Sequence, residues 1–270
     1  FPMSAKYCQN LDHDFLGMTG KFHTTWGEFG GIKHPNALRY ECAAMLAFGA
    51  KCSVGDQLHP CGKLDETTYE IIGRAYREVA AKEAWCDNVT PVADAAILSG
   101  AGGGKAADDA DVGAARLLLE GHIPHTVIDT QADFDAYRVI IVPDAVRLDA
   151  GLQARLQAYV DAGGKLLLAG ESGLNAGGDG LAFDLGAEVS GASEYSPDYI
   201  LPSAGLRPAF VTSPVVMYTR SQRLQVTAGE SLGDVYDPYF NRSYKHFCSH
   251  QHTPYRTEPS GYACGVHHGN

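Results

Sequence analysis

The sequence of 270 residues has no apolar run long enough for a membrane-spanning helix. Runs such as residues 138–143 and 165–169 fall far short of the ~20 apolar residues that a bilayer requires. Basic residues are also few, since 21 Lys and Arg stand against 32 Asp and Glu, a formal charge of -11. This charge disfavours nucleic acid, so we expect neither a nucleic acid nor a membrane as a partner. Acidic clefts do suit neutral polyols such as sugars.

Paired cysteines of the CxxC type are absent, and seven cysteines are an odd number in a chain too long to need disulfides. Cys248, His250 and His252 are expected on one face of an extended strand, with His267 and His268 nearby. Zinc accepts such ligands, but no second pair at finger-like spacing exists. The preferred interpretation is a polar loop or strand end with buried thiols. We expect no metal and no organic cofactor.

The two ends of the sequence carry no recognisable targeting pattern. The chain begins Phe1-Pro2-Met3 without the basic and apolar regions of a signal peptide. It stops at Asn270, directly after the strand-like residues 262–266. We expect a fragment of a longer protein, truncated at both ends, whose localisation is not assigned.

The middle region, residues 89–190, alternates strands with helices. Apolar runs predict four strands, at 93–98, 125–128, 139–142 and 165–169. One helix is expected with Asp111 as N-cap, and its apolar face is Val112, Ala115, Leu118 and Leu119. Another opens at Leu148-Asp149, with the apolar face Leu152, Leu156, Tyr159 and Val160. This alternation predicts right-handed crossovers and a flavodoxin-like, doubly wound parallel sheet.

Two stretches of this region are similar in part to catalytic motifs. The glycine-rich residues 99–104 do not fit the P-loop, because Lys105 is followed by Ala106 and not by Ser or Thr. They do not fit GxGxxG either, because Lys105 stands where the last glycine of that motif would be. Gly170-Glu171-Ser172-Gly173 half-meets the nucleophile elbow, but Ser172 has no evident histidine base. The region resembles the class I glutamine amidotransferase fold without its catalytic cysteine. It is therefore interpreted as a structural module.

The first region, residues 1–88, predicts strand, helix, strand, helix. A strand within residues 17–28 ends in a loop that begins at Trp26, and a helix follows at 37–48. A second strand, 51–54, ends in Gly55-Asp56-Gln57-Leu58-His59-Pro60, and a helix runs from 64–67 to about Trp85. Polar and aromatic residues after each strand are typical of the closing segments of a (β/α)8 barrel.

Residues 19–31 and 52–85 resemble the last two strands of alpha-L-fucosidase-like glycoside hydrolases. In that family one strand ends in a Trp-Gly motif and the last ends in a loop like Gly-Asp-Gln-Leu-His-Pro. The middle region resembles the trimerisation domain of microbial beta-galactosidases, which follows the barrel directly. The resemblance implies that the nucleophile, and often the acid, lie on earlier strands that this chain does not contain.

Five residues at the strand ends are the candidate site. Glycoside hydrolysis needs two carboxyl groups, and Glu28 and Asp56 are the carboxylates at these ends, as catalytic groups or sugar ligands. The alternative is that both only bind loop backbone. Trp26 is expected to stack on a sugar, unless it is a buried barrel-top aromatic. His23 and His59 are expected to bind sugar hydroxyls, unless neighbouring loops satisfy them.

The sequence thus predicts an α/β protein, the C-terminal part of a (β/α)8 barrel followed by a flavodoxin-like doubly wound sheet. Its expected parts are barrel segments at 1–88, an amidotransferase-like trimerisation domain at 89–190, and a strand-rich continuation at 191–270. The expected function is hydrolysis of a terminal sugar, as carried out by a fucosidase or a galactosidase. The protein is also expected to be a homo-oligomer, with a trimer as the first candidate. Two alternatives stay open: a non-catalytic carbohydrate-binding protein, or an amidotransferase-like enzyme acting at the middle region.

Overall fold

A computed structural model of the chain describes residues 1–11, 13–100, 109–144 and 146–269. The described residues form two compact units, the first from Phe1–Ile97 with Asp111–Ile128 and the second from the remainder. The helices are α1 Pro2–Cys8, α2 Pro35–Ala47, α3 Glu66–Ala80, α4 Asp109–Glu120 and α5 Ala150–Asp161. The first six strands are β1 Leu16–Gly20, β2 Lys51–Gly55, β3 Ala95–Leu98, β4 His125–Ile128, β5 Val139–Val142 and β6 Lys165–Leu168. The later strands are β7 Ala187–Ala192, β8 Tyr199–Pro202, β9 Val215–Val216, β10 Gln222–Val226, β11 Glu230–Ser231, β12 Gly233–Tyr236 and β13 Val266–His267.

The first unit contains a two-stranded parallel sheet covered by two helices. β1 and β2 pair in parallel, with Leu16 opposite Lys51 and Gly20 opposite Gly55. α2 and α3 pack on one face through a buried cluster of apolar side chains, which comprises Leu38, Cys42, Ile72, Ala75 and Val79. The opposite face is open, since Leu16 and Met18 are 63% and 61% exposed.

The helices of this unit begin where polar residues can cap them. His34 Nδ1 accepts from the amide of Asn36 (3.2 Å), and Pro35 occupies the first turn of α2. Asp65 caps α3 by accepting from the amides of Thr67 (3.0 Å) and Thr68 (3.5 Å). These caps fix the points at which the chain turns from the loops after β1 and β2 into the helices.

β4 lies beside β3 in the first unit, and β5 lies beside β6 in the second. β5 and β6 pair in parallel, with Val139 opposite Lys165. Within the second unit, β10 pairs with β7, β8 lies between β12 and β9, and β11 pairs with β13, all antiparallel. The chain is therefore a mixed α/β protein with parallel sheets.

Several sequence predictions are confirmed and others need correction. The strands at 125–128 and 139–142 have the expected bounds, and Leu152, Leu156 and Tyr159 are buried as expected. The strand expected within 17–28 lies earlier, at Leu16–Gly20, because the chain leaves the sheet at Gly20. Asp111 is a buried residue inside α4 rather than its N-cap. The apolar face expected for α4 was also partly wrong, since Val112 and Leu119 are 46% and 39% exposed.

The extended strand expected at 248–252 is a loop, and strand β13 covers only Val266–His267 of the C-terminal segment. Within the described residues, no group of three or more His, Cys, Asp or Glu is arranged to hold a metal ion. No helix among the described residues is both long and apolar enough to cross a membrane. The glycine-rich stretch at 99–104 falls mostly outside the described residues. The division at 1–88, 89–190 and 191–270 stays a prediction.

Candidate functional site

The carboxyl ends of β1 and β2 lie side by side in the first unit. The strands are parallel and in register, so the terminal residues Gly20 and Gly55 are partners. The pairing continues one step further, because the Lys21 amide donates to the Gly55 carbonyl at 3.0 Å. Lys21 and Asp56, the first residues after the two strands, therefore start at the same edge of the sheet. This is the edge at which parallel α/β folds carry their ligands.

The indole of Trp26 lies over this glycine pair. A Cβ atom at Gly55 would come within 2.5 Å of Trp26 Cη2, and one at Gly20 within 3.0 Å of its Cζ3. Phe22 supports the indole edge-on, with ring centroids 5.0 Å apart and an interplanar angle of 64°. Trp26 is nevertheless 63% exposed. It is therefore a supported aromatic surface that is open to solvent in this chain.

Glu28 closes the loop that carries Trp26. Its Oε1 accepts from the amides of His23 (2.5 Å) and Thr24 (2.6 Å). These backbone donors, the Thr24 amide above all, lower the pKa of Glu28 below its ordinary value. A carboxylate held in its ionised form is a poor proton donor. The surroundings thus favour a loop-organising role for Glu28, and its catalytic role stays a prediction.

Asp56 is paired with a buried lysine. Lys21 Nζ lies 3.9 Å from Asp56 Oδ1, and the two side chains are 5% and 13% exposed. Asp56 Oδ1 is buried and has no hydrogen-bond partner among the described residues. The nearby ammonium group stabilises the charge of this carboxylate, which water solvates only in part. Asp56 thus places a largely buried carboxyl group at the strand ends, beside the aromatic surface of Trp26.

The two histidines of the candidate site have different surroundings. His59 Nδ1 lies 2.9 Å from Cys61 Sγ and accepts from the Cys61 amide at 3.2 Å. The His59 ring meets Phe29 edge-on at a centroid distance of 5.6 Å. His59 is therefore held by its own loop, whereas His23 is exposed and its backbone amide donates to Glu28.

Sequence reasoning missed Lys21. Its side chain is 5% exposed even though it directly follows the end of a strand, where a loop begins. One signal was available: Lys21 follows Gly20 as Asp56 follows Gly55, so pairing of the strands in register brings opposite charges together. The register itself depends on a long-range pairing that local sequence does not specify.

The second candidate considered from sequence, Ser172, is a structural residue. Its side chain is fully buried, and its hydroxyl lies 2.8 Å from the carbonyls of both Val142 and Ala169. It also accepts from the Ala169 amide at 3.0 Å. A hydroxyl that is enclosed and engaged in this way is not available as a nucleophile in this conformation.

A protein family and several solved structures are similar to this chain. Residues 116–181 match the family described as the beta-galactosidase trimerisation domain. The structure of alpha-L-fucosidase isoenzyme 2 from Paenibacillus thiaminolyticus is 45% identical, with a TM-score of 0.88 over 99% of this chain and 42% of that chain. The chain is similar to part of a glycoside hydrolase. It spans less than half the length of that fucosidase.

More distant structures share the fold alone. A GH42 beta-galactosidase from G. stearothermophilus is 16% identical, with a TM-score of 0.67 over 89% of this chain and 40% of that one. The beta-galactosidase from Bacillus circulans sp. alkalophilus is 14% identical, with a TM-score of 0.68 over 89% and 42%. A comparison with curated proteins gave no significant match.

Proposed function

We propose that the protein containing this chain hydrolyses the glycosidic bond of a terminal sugar, with an α-L-fucoside as the first candidate substrate and a β-galactoside as the second. The order follows the comparisons, because identity is 45% to the fucosidase and 14–16% to the two beta-galactosidases described above. The observation that carries the proposal within the chain is the exposed indole of Trp26 over Gly20 and Gly55. A flat aromatic surface beside a carboxylate suits the C–H face and hydroxyl groups of a pyranose ring.

The assignment of Glu28 and Asp56 to catalysis remains part of this proposal. Their surroundings support a division of roles: Asp56 binds a sugar hydroxyl or acts on the reacting sugar, while Glu28 keeps the Trp26 loop in place. His23 and His59 are proposed as further hydroxyl ligands. We also propose the barrel and the flavodoxin-like sheet as the architecture to which these segments belong.

The test is an activity assay of the complete protein that carries this chain. Release of 4-nitrophenol from its α-L-fucopyranoside and β-D-galactopyranoside is measured for the parent and for Trp26→Ala. We expect Trp26→Ala to lower kcat/KM about tenfold or more, mainly through KM, the range that base stacking on aromatic side chains suggests. Trp85→Ala is the matched control, since Trp85 is the other tryptophan and is 83% exposed.

Two carboxylate variants separate catalysis from binding. A fall of several orders of magnitude in kcat for Glu28→Gln or Asp56→Asn would make that residue catalytic. A change confined to KM would make it a substrate ligand or a loop residue. If the parent binds saccharides but hydrolyses neither glycoside, a carbohydrate-binding protein replaces the hydrolase. Glutamine hydrolysis would instead favour the amidotransferase alternative.

We further propose that the protein is a homo-oligomer, with a trimer as the first candidate. The match to the trimerisation domain supports this proposal, and so does the exposed apolar surface of α4, where Leu117 is 70% exposed. Light scattering coupled to size-exclusion chromatography tests it. Leu117→Lys should lower the molar mass if this helix lies at the subunit contact.

A further inference from the structure

Tyr218, in the second unit, has an unusual backbone conformation. Its φ is 59°, and only Asn88 and His122 share a positive φ among the described non-glycine residues. Asparagine and histidine are enriched in this left-handed region, whereas a bulky tyrosine there is an outlier. Such conformations persist where the surrounding structure holds them, and they cluster at ligand-binding positions.

Backbone hydrogen bonds on both sides of Tyr218 hold it in place. The Met217 amide donates to the Asp198 carbonyl at 2.9 Å, and the Asp198 amide donates to the Thr219 carbonyl at 3.1 Å. Asp198 is itself completely buried, and its carboxylate accepts from the amide (3.0 Å) and hydroxyl (2.6 Å) of Ser221. Tyr218 therefore lies between two hydrogen-bonded residues, Met217 and Thr219, without joining their pairing with Asp198. Tyr218 is 75% exposed.

His252 is the neighbour of the exposed ring. The two ring centroids lie 5.8 Å apart at an interplanar angle of 68°. The backbone around His252 is also held, because its carbonyl accepts from the Cys248 thiol at 3.3 Å. The next carbonyl, of Thr253, accepts from the Tyr199 hydroxyl at 2.6 Å. Hydrogen bonds therefore hold the backbone around both Tyr218 and His252 in place before a ligand binds.

We propose that Tyr218 and His252 form a second saccharide-binding site, separate from the strand-end site and located in the second unit. A pyranose ring stacks on the open face of Tyr218, and the Tyr218 hydroxyl and the imidazole bind its hydroxyl groups. The choice of a sugar as ligand rests on the proposed function.

The surroundings of Tyr218 favour one sugar ring over a protein partner. Thr219 and Arg220, which follow it, are exposed and polar, and Met217, which precedes it, is 40% exposed. A protein interface needs a contact patch many times larger than one ring, with a well-packed centre. Because the two rings are held in advance, little conformational entropy is lost when a small neutral ligand binds.

The experiment measures binding of lactose and of L-fucose to the protein by saturation-transfer NMR titration. All variants carry Trp26→Ala, which removes the aromatic surface of the strand-end site. Tyr218→Gly deletes the ring at a position whose positive φ suits glycine, so the melting temperature should stay equal or rise. We expect it to weaken binding about tenfold or more, whereas Tyr218→Phe keeps the ring and stays within about threefold. Tyr244→Ala, at a tyrosine that is 86% exposed, is the matched control and should change nothing.

Equal saccharide affinity for Tyr218→Gly and its parent would overturn the site, as would no binding in the Trp26→Ala background. A fall in molar mass for Tyr218→Gly at unchanged affinity would also overturn it, in favour of a contact between copies of the chain. Hydrolysis is assayed separately. Glycoside hydrolysis without binding at Tyr218 refutes only this inference, and binding at Tyr218 without hydrolysis refutes only the hydrolase.

Discussion

The Trp26 indole packs against Gly55, the last residue of β2, so closely that a Cβ atom at Gly55 would lie 2.5 Å from Cη2 of the ring. The distance is shorter than real Cβ contacts allow. The absence of a side chain at Gly55 is therefore a condition for the position of the indole. It ties a glycine at the end of β2 to the function proposed for an aromatic residue in the loop after β1.

Gly55→Ala should displace the Trp26 ring while leaving its chemistry unchanged. We expect KM for the glycoside to rise in the same direction as for Trp26→Ala, with a smaller effect on stability than on binding. Gly113→Ala is the control, because Gly113 is an exposed residue of α4 with open space around it. That change should raise stability by up to about 1 kcal/mol. An unchanged KM for Gly55→Ala would mean that the indole position is not important for substrate.

Lys21 and Asp56 should show strong energetic coupling. Lys21→Met leaves a largely buried carboxylate without its cation, and we expect a loss of about 3 kcal/mol in the free energy of unfolding. The double variant Lys21→Met/Asp56→Asn should be more stable than Lys21→Met alone, because no unpaired charge remains. Urea denaturation of the four proteins of this cycle measures the coupling. Additive effects of the two changes would show that the 3.9 Å pair is not coupled.

Structural features that depend on local sequence could be predicted, whereas features that depend on long-range contacts could not. The strand at Val139–Val142 was predicted with its bounds, since a buried parallel strand is apolar on both faces and needs no partner to be recognised. β1 was placed too late, because Lys21 and Phe22 are as buried as strand residues although the chain has already turned. The end of a strand depends on its partner, and local sequence does not contain that information.

The same distinction between local and long-range features applies to the candidate site. Trp26, Glu28 and Asp56 were proposed from sequence because polar and aromatic residues that follow strands are visible there. Their contacts were not predictable: the Trp26 ring needs Gly20 opposite Gly55, and the Glu28 carboxylate turns back to its own loop. Both depend on the register and on the three-dimensional path of the chain.

The cysteines should differ sharply in reactivity. Burial raises the pKa of the Cys52 thiol to about 11 and also raises that of Cys42, whereas Cys61 is exposed. Because the thiolate is the reactive form, brief treatment with iodoacetamide at pH 8 should label Cys61 before Cys52 or Cys42. Peptide mass spectrometry measures the order. Rapid labelling of Cys52 in the folded protein would contradict the buried environment.

The same thiol predicts a dependence of stability on alkaline pH. In the unfolded chain Cys52 loses its proton near its ordinary pKa of 9.0, while the folded chain keeps it until about 11. The contribution of Cys52 is thus complete below about pH 9 and is lost as the pH rises toward 11. Cys52→Ala should make the decline in the free energy of unfolding less steep over this window. Parallel curves for the two proteins would assign the decline to other groups.

Ser172→Ala should lower stability and leave chemistry intact. The change removes the hydroxyl that bridges Ala169 and the Val142 carbonyl, in a fully buried position. We expect a loss of about 1–3 kcal/mol in the free energy of unfolding, the typical result of unsatisfied buried polar groups. Glycoside hydrolysis, measured well below the melting temperature, should not change. A selective loss of any esterase or glutaminase activity would instead make Ser172 a nucleophile.

The second unit depends on a buried arginine. Arg223 Nη2 donates to Asp237 Oδ1 (2.6 Å) and Ser193 Oγ (2.8 Å) and lies 3.9 Å from Asp198 Oδ1. The guanidinium also lies over the ring of Tyr262, 5.0 Å from its centroid. Arg223 thus provides the positive charge near Asp198 and Asp237. The backbone of Asp198 in turn forms the hydrogen bonds on both sides of Tyr218.

Arg223→Leu should therefore be among the most destabilising single changes in this unit. It leaves the fully buried Asp198 carboxylate without a cation, and we expect a loss of about 3–5 kcal/mol in the free energy of unfolding. Arg223→Lys keeps the charge but cannot reproduce the planar pattern of donors, so an intermediate loss is expected. Guanidinium denaturation measures both, with the exposed Arg220→Leu as the control. The Asp198 carboxylate also accepts from the hydroxyls of Ser193 and Ser221 and from the Ser221 amide. A loss for Arg223→Leu no larger than that of Arg220→Leu would show that these donors are sufficient to stabilise it.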